Sequence, residues 1–193
     1  MNRAVTMLSC LLIASPVIAT EVAAQSLGEK TGINSALGIS PSAADFARQV
    51  ALSDLFEIAS SKLAQTKGTE AEKKFATMMI EEHSKTSSEL KRLVATGTAN
   101  VDLPAQLDSA HQQKLDRLSR LNGAEFSQAY IADQITAHKD AVALFERFSK
   151  GDEQSELKQW ASTTLPKLQQ HLQMAQQLES QRGSAPTVGS STK

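Results

Sequence analysis

Apolar positions recur at steps of three and four along four long stretches of the chain, the spacing that lines one face of an α-helix. From Phe75 to Leu93 the seam is Ala76, Met79, His83, Thr86, Leu90 and Leu93. From Ala43 to Gln65 one seam is Phe46, Val50, Ser53, Glu57, Ser60 and Ala64. Leu52, Phe56, Ala59 and Leu63 form a second, which predicts a wide buried face. From Ala124 to Ser149 the seam is Ile131, Ile135, His138, Val142 and Phe145. From Ser155 to Ser180, Leu157, Ala161, Thr164, Leu168, His171, Ala175 and Leu178 keep the step, although Pro166 predicts a bend or a split there.

Punctuation between the stretches sets their connections. Ser42 can cap the first helix and Thr69 the second, with Asp45, Glu70 and Glu72 in the first turns. Lys67-Gly68-Thr69 and Lys150-Gly151-Asp152 read as tight turns, which make neighbouring helices antiparallel. Residues Thr98–Asn122 are too many for a turn and hold a short helix at Ala105–Leu121, with His111 expected to be exposed. A connection of that length can cross a whole bundle. The pattern predicts an all-α fold: a ferritin-like antiparallel four-helix bundle over residues 43–180, with a long crossover between helices 2 and 3. Lys73-Lys74-Phe75-Ala76 at the start of the second helix is echoed by Lys158-Gln159-Trp160-Ala161 in the fourth, a faint repeat that fits two related hairpins.

The ends of the chain read differently. Arg3 followed by the apolar run Ala4–Ala19 predicts a signal peptide over residues 1–24, cleaved after Ala24 or, failing that, after Ala19. Residues 25–42 read as a flexible linker and 181–193 as a disordered tail. The expected location is periplasmic or secreted, with no integral membrane segment after cleavage. Cys10 is the only cysteine and lies in the signal, so the exported chain would have no disulfide, thiolate metal site or cysteine nucleophile. The net charge is −1, no basic block appears, and Tyr130 and Trp160 are the sole Tyr and Trp, which argues against nucleic-acid binding.

Candidate chemistry lies on the seams. Each of the four helices carries one potential ligand near its middle: Glu57, His83, His138 and His171. A seam takes two of seven helical positions, so three histidines fall there by chance about 2% of the time. A buried imidazole or carboxylate needs a partner. The four can satisfy one another as a Glu–His hydrogen-bond network, or they can hold a metal ion. Three imidazoles and a carboxylate suit Zn²⁺, Cu²⁺, Ni²⁺ or Fe²⁺ better than Ca²⁺ or Mg²⁺. Glu82, beside His83, can support the ligands from behind, and Met79, one turn earlier, offers a thioether. Asp54 and Asp133 are reserve ligands whose expected place is the solvated surface. Ligation needs neutral imidazole, so affinity is expected to weaken as pH falls through about 6.

Several chemistries fail on spacing. A di-iron carboxylate site wants a Glu-x-x-His pair on each of two helices, and the residues three before His83 and His171 are Ile80 and Leu168. No Cys-x-x-Cys-His haem attachment and no Gly-x-Ser-x-Gly elbow is present.

The runs Phe46…Glu57-Ile58-Ala59…Leu63-Ala64, Phe75-Ala76-Thr77-Met78-Met79-Ile80-Glu81-Glu82-His83 and Leu165-Pro166-Lys167-Leu168-Gln169-Gln170-His171-Leu172 resemble the DUF4142 family over about Ala44–Leu178. The resemblance implies a secreted bacterial protein with a ferritin-like bundle, and it directs attention to Glu57, Glu82, His83, His138 and His171. This chain has Glu82 where the family usually has Asp. It has Ala137 and Ser127 where the family often has acidic residues. The expected function is transition-metal binding at the Glu/His cluster, in metal handling or stress response, rather than catalysis. The alternatives are a structural or interaction module with a metal-free polar core, and a mononuclear metal oxidoreductase. Sequence names no protein partner.

Overall fold

The computed structural model describes residues 33–97, 101–151 and 155–183. The expected signal peptide, the first part of the linker and the tail beyond Gly183 lie outside them. Among the described residues the regular elements are all helical. They are α1 (Ile33–Ala36), α2 (Ala43–Lys67), α3 (Glu70–Ala95), α4 (Ser109–Arg120), α5 (Gly123–Lys150) and α6 (Glu156–Gly183). No helix among them is long and apolar enough to cross a membrane.

The starts follow the expected capping chemistry. The Asp45 backbone N–H donates to Ser42 Oγ at 3.1 Å. Thr69 and Glu72 close a capping box, in which Thr69 N–H donates to Glu72 Oε2 at 2.8 Å and Glu72 N–H donates to Thr69 Oγ1 at 3.4 Å. The turns after α2 and α5 use glycine for room rather than for handedness. Gly68 and Gly151 have φ of −76° and −64°. A Cβ on Gly68 would sit 2.7 Å from the Ala64 carbonyl oxygen, and one on Gly151 would sit 2.6 Å from Ser40 Oγ.

The seams of α3, α5 and α6 are the buried faces, with only Thr86, Val142, Thr164 and Leu178 partly open. In α2 the second stripe is displaced from expectation. Leu52, Ala59 and Leu63 are only half-buried, whereas Ala47, Ala51, Asp54 and Ser61 are buried. Small side chains there let neighbouring helices close over that side. Pro166 does not split α6, which runs through it. Pro166 is exposed, and so is Ser162, whose carbonyl cannot bond to it, so the missing helix hydrogen bond falls on the solvent side.

The helices pack as a bundle. α2 lies along α3, α5 along α6, α2 also meets α5, and α3 meets α6; α4 lies across α2 and touches α5. Near the start of α2, Phe46 stacks on Phe148 near the end of α5, with ring centroids 4.0 Å apart. Near the end of α2, Ser61 Oγ and Tyr130 Oη are 3.0 Å apart, Tyr130 being near the start of α5. At the starts of α3 and α5, Ser127 Oγ donates to Glu72 Oε2 at 2.9 Å.

The apolar core has two parts. One gathers Phe46, Val50, Leu90, Phe145, Phe148 and Leu157. The other gathers Phe56, Phe75, Met79, Phe126, Tyr130 and Ile131. Burial of each such side chain contributes roughly 1.5–3 kcal/mol. Along each of α3, α5 and α6 a histidine falls between the residues of the two parts: His83 between Met79 and Leu90, His138 between Ile135 and Ala141, His171 between Leu168 and Ala175. On α2, Asp54 lies between Ala51 of one part and Phe56 of the other, and Glu57 follows Phe56 directly.

Candidate metal centre

The heptad-like step that buries leucines also buries these polar groups, so helix geometry alone carries them to the bundle interior. Asp54, Glu57, His83, His138 and His171 expose 2%, 0%, 2%, 0% and 2% of their surface, and a charge or lone pair so buried requires a partner. The three imidazoles form a triangle with ring centroids 5.4–5.6 Å apart. One ring nitrogen of each lies within 4.8 Å of one from the other two.

Each ring is held through its remaining nitrogen. His83 Nδ1 donates to Asp54 Oδ1 at 2.8 Å, and Asp54 is itself fixed by Ser87 Oγ at 2.9 Å. His138 Nδ1 donates to the Gln134 carbonyl at 2.9 Å. His171 Nε2 donates to Glu82 Oε2 at 2.9 Å, and Lys167 Nζ pairs with Glu82 Oε1 at 3.3 Å. These donations place the lone pairs on His138 Nε2 and His171 Nδ1, while His83 Nε2 faces the Glu57 carboxylate. Both of these lone pairs are buried without a hydrogen-bond partner. Glu57 Oε2 and His83 Nε2 are 2.6 Å apart, a close buried ion pair. Glu57 Oε1 lies 3.6 Å from His138 Nδ1 and accepts from Ser53 Oγ at 3.4 Å.

This pattern fits a metal ion. Imidazole ligands hold one nitrogen on the ion and donate the other N–H to a carboxylate or carbonyl, which fixes the tautomer. An ion with bonds of 2.0–2.1 Å draws tetrahedral nitrogens to about 3.3 Å of one another, so separations of up to 4.8 Å would close by at most about 1.5 Å, with each side chain moving inward by under about 1 Å.

Charge is matched across the layer. Burial works to raise the Glu57 carboxyl, but the His138 and His83 imidazoles overcome it and hold the group down at about 2. Burial likewise disfavours a charged His83, yet the Glu57 charge and the Asp54 hydrogen bond carry it up to about 10. Burial keeps Asp54 above its ordinary value despite His83. His171 is driven down to about 4 by burial and by its two histidine neighbours, against the pull of Glu82.

The expected residues distribute unevenly. Glu57, His83 and His138 converge directly, and His171 joins through the imidazole triangle. Glu82 supports His171 rather than its sequence neighbour His83. Met79 lies in the apolar core with Phe75 and Tyr130. Asp133 pairs with Arg117 at 2.6 Å, away from the cluster. The expectation of a solvated Asp54 is overturned: wedged against His83, it is buried because α3 closes over that side of α2. His111 is half-buried rather than exposed, bonded to Asp108 at 2.7 Å and set against the Phe56 ring at 5.6 Å. Ser87 and Gln134 escape sequence reasoning too. Their signal is spacing: Asp54 is three before Glu57, Ser87 four after His83 and Gln134 four before His138, each one turn from a seam group.

A family model described as "Domain of unknown function (DUF4142)" matches residues 28–178. The chain belongs to the DUF4142 family. Comparison with curated proteins and with solved structures returns no match. Two of the positions at which this DUF4142 chain departs from its resemblance now have a place. Glu82 has the extra methylene to reach His171, and Ser127 donates to a buried Glu72 that a second carboxylate would repel.

Proposed function

We propose that this DUF4142 protein binds a transition metal ion through His83, His138 and His171, with Glu57 as fourth donor, inside a ferritin-like bundle exported to the periplasm or beyond. One observation carries the reading: His138 Nε2 and His171 Nδ1 are buried with no hydrogen bond while the other nitrogen of each ring is held, and His83 joins them in the same imidazole triangle. Each such atom costs about 1–3 kcal/mol, a cost that a bound ion removes. Zn²⁺, Cu²⁺, Ni²⁺ and Fe²⁺ match the donors. The ferritin-like arrangement is supported by the start of α2 meeting the end of α5, and by the start of α3 meeting the start of α5. Those contacts fit two antiparallel hairpins, α2–α3 and α5–α6, joined by a crossover that runs the length of the bundle. We infer metal handling as the protein's role.

A second reading keeps the layer free of metal. It is favoured by Glu57 and Asp54 flanking His83 at 2.6 and 2.8 Å, a self-neutralising chain that would fix helix register in an interaction module. Calorimetric titration of apo protein with Zn²⁺ and Cu²⁺ separates the two. Metal binding predicts one saturable site, lost in His83→Ala and His171→Ala, and weakened about 10–100-fold in Asp54→Asn through loss of the ring's orienting partner. Equal uptake by all four proteins leaves the metal-free layer as the better reading.

A further inference from the structure

A cleft of about 860 Å³ opens between α2 and α5 beneath α4. Its rim carries the exposed side chains of Asp108, Lys114 and Asp140, and its deep end is formed by the buried Asp54, His83 and Leu168. It therefore runs from solvent to the Asp54–His83 edge of the cluster, and of the four proposed donors it touches His83. Three other clefts, around Gly68, Phe75 and Arg117, touch none of Glu57, His83, His138 or His171. The space is ample for a cation with six waters, each with a share of about 30 Å³.

The roof is α4. Its Leu118 is buried, and Lys67 Nζ donates to the Leu121 carbonyl at 2.8 Å, anchoring the end of the helix away from the rim. Near the rim, His111 and Lys114 rest on the Phe56 ring, at 5.6 and 5.8 Å between centroid and centroid or Nζ. The Asp140 carboxylate faces the mouth with the Lys114 ammonium and the Arg48 guanidinium on the same cleft wall, while Asp108 is engaged by His111. Asp140 is the rim acid not hydrogen-bonded to His111, and it is the one we assign to meet an incoming cation against the pull of Lys114.

We propose that this cleft is the port by which a hydrated divalent cation reaches the centre, drawn in at Asp140 and shedding water before the Asp54–His83 pair. The proposal rests on the metal-binding reading and adds a route to it. A port controls how fast the ion arrives, not how tightly it is held, so rate and affinity must separate. Stopped-flow uptake of Co²⁺ by apo protein, followed by the visible absorption of the bound ion, gives the rate; equilibrium titration gives the affinity. Leu52→Trp and Thr86→Phe each add bulk to a cleft wall and should slow uptake at least tenfold, with affinity within about twofold of wild type. Asp140→Asn should slow uptake severalfold at low salt, with the difference vanishing at high salt as screening removes the attraction. Gln169→Trp, on the exposed face of α6, should load like wild type. Wild-type rates in both plugged variants and in Asp140→Asn overturn the port while leaving the metal site standing. Wild-type protein that takes up neither Co²⁺ nor Zn²⁺ nor Cu²⁺ at equilibrium overturns the metal reading and the port with it.

Discussion

His83 sits between two carboxylates, and in the absence of an ion a proton holds that place. Its value of about 10 means that an ion must expel this proton at neutral pH. Affinity for Zn²⁺ should therefore rise roughly tenfold per pH unit from 6.5 to 8.5. Ordinary histidines would give a flat profile there, as the sequence-based value of about 6 implies. Calorimetry in buffers of different ionisation heat should find about one proton released per ion at pH 7.5. Stability of the apo protein runs the other way. A histidine raised on folding stabilises fully below its unfolded value of 6.5, and the benefit is lost as pH climbs toward about 10. His171, lowered to about 4, gives the opposite limb, since folding resists its protonation and stability falls as pH drops from 6.5 toward 4. Glu57 adds to that acid limb only below 4.5, as pH falls toward about 2. Thermal melting of metal-free protein should thus be highest near neutrality and decline on both sides, and a melting temperature that rises steadily from pH 7 to pH 9.5 would refute the charged His83.

At the scale of the element, turns and stripes decide what can be read from the chain. Gly68 and Gly151 stand where a Cβ would press on Ala64 O or Ser40 Oγ, so Gly68→Ala and Gly151→Ala should each destabilise by about 1–3 kcal/mol in urea unfolding. Gly97, whose Cβ would meet nothing within 4 Å, tests the contrast, because its φ of +84° makes any cost there one of backbone rather than space. The four long helices are legible in the sequence because their apolar step is regular and their caps are local. The seam histidines are legible because a polar residue on an apolar stripe contradicts its surroundings. Asp54 is not, because an aspartate beside a stripe looks solvated until a second helix covers it. The placement of Glu82 on His171 is equally hidden, since it depends on how α3 and α6 approach one another.

At the scale of the molecule, α4 lies against α2 and roofs the cleft over Asp54 and His83. The layer of imidazoles and carboxylates that lies between the two apolar clusters has a further consequence, for cooperativity. Oil-like contact is what normally makes a bundle unfold all at once, and here that contact is interrupted midway along the helices. Without an ion the two ends are joined by the backbone and by a few charged hydrogen bonds, so they are separate units of opening. An ion bonded to three helices and to α2 would rivet them into one. Hydrogen exchange on metal-free protein should give distinct opening energies for amides around Phe46 and Phe145 and for those around Phe75 and Tyr130, and saturating Zn²⁺ should merge the two sets. Identical opening energies before and after zinc would mean that the helices alone already carry the signal from one end to the other.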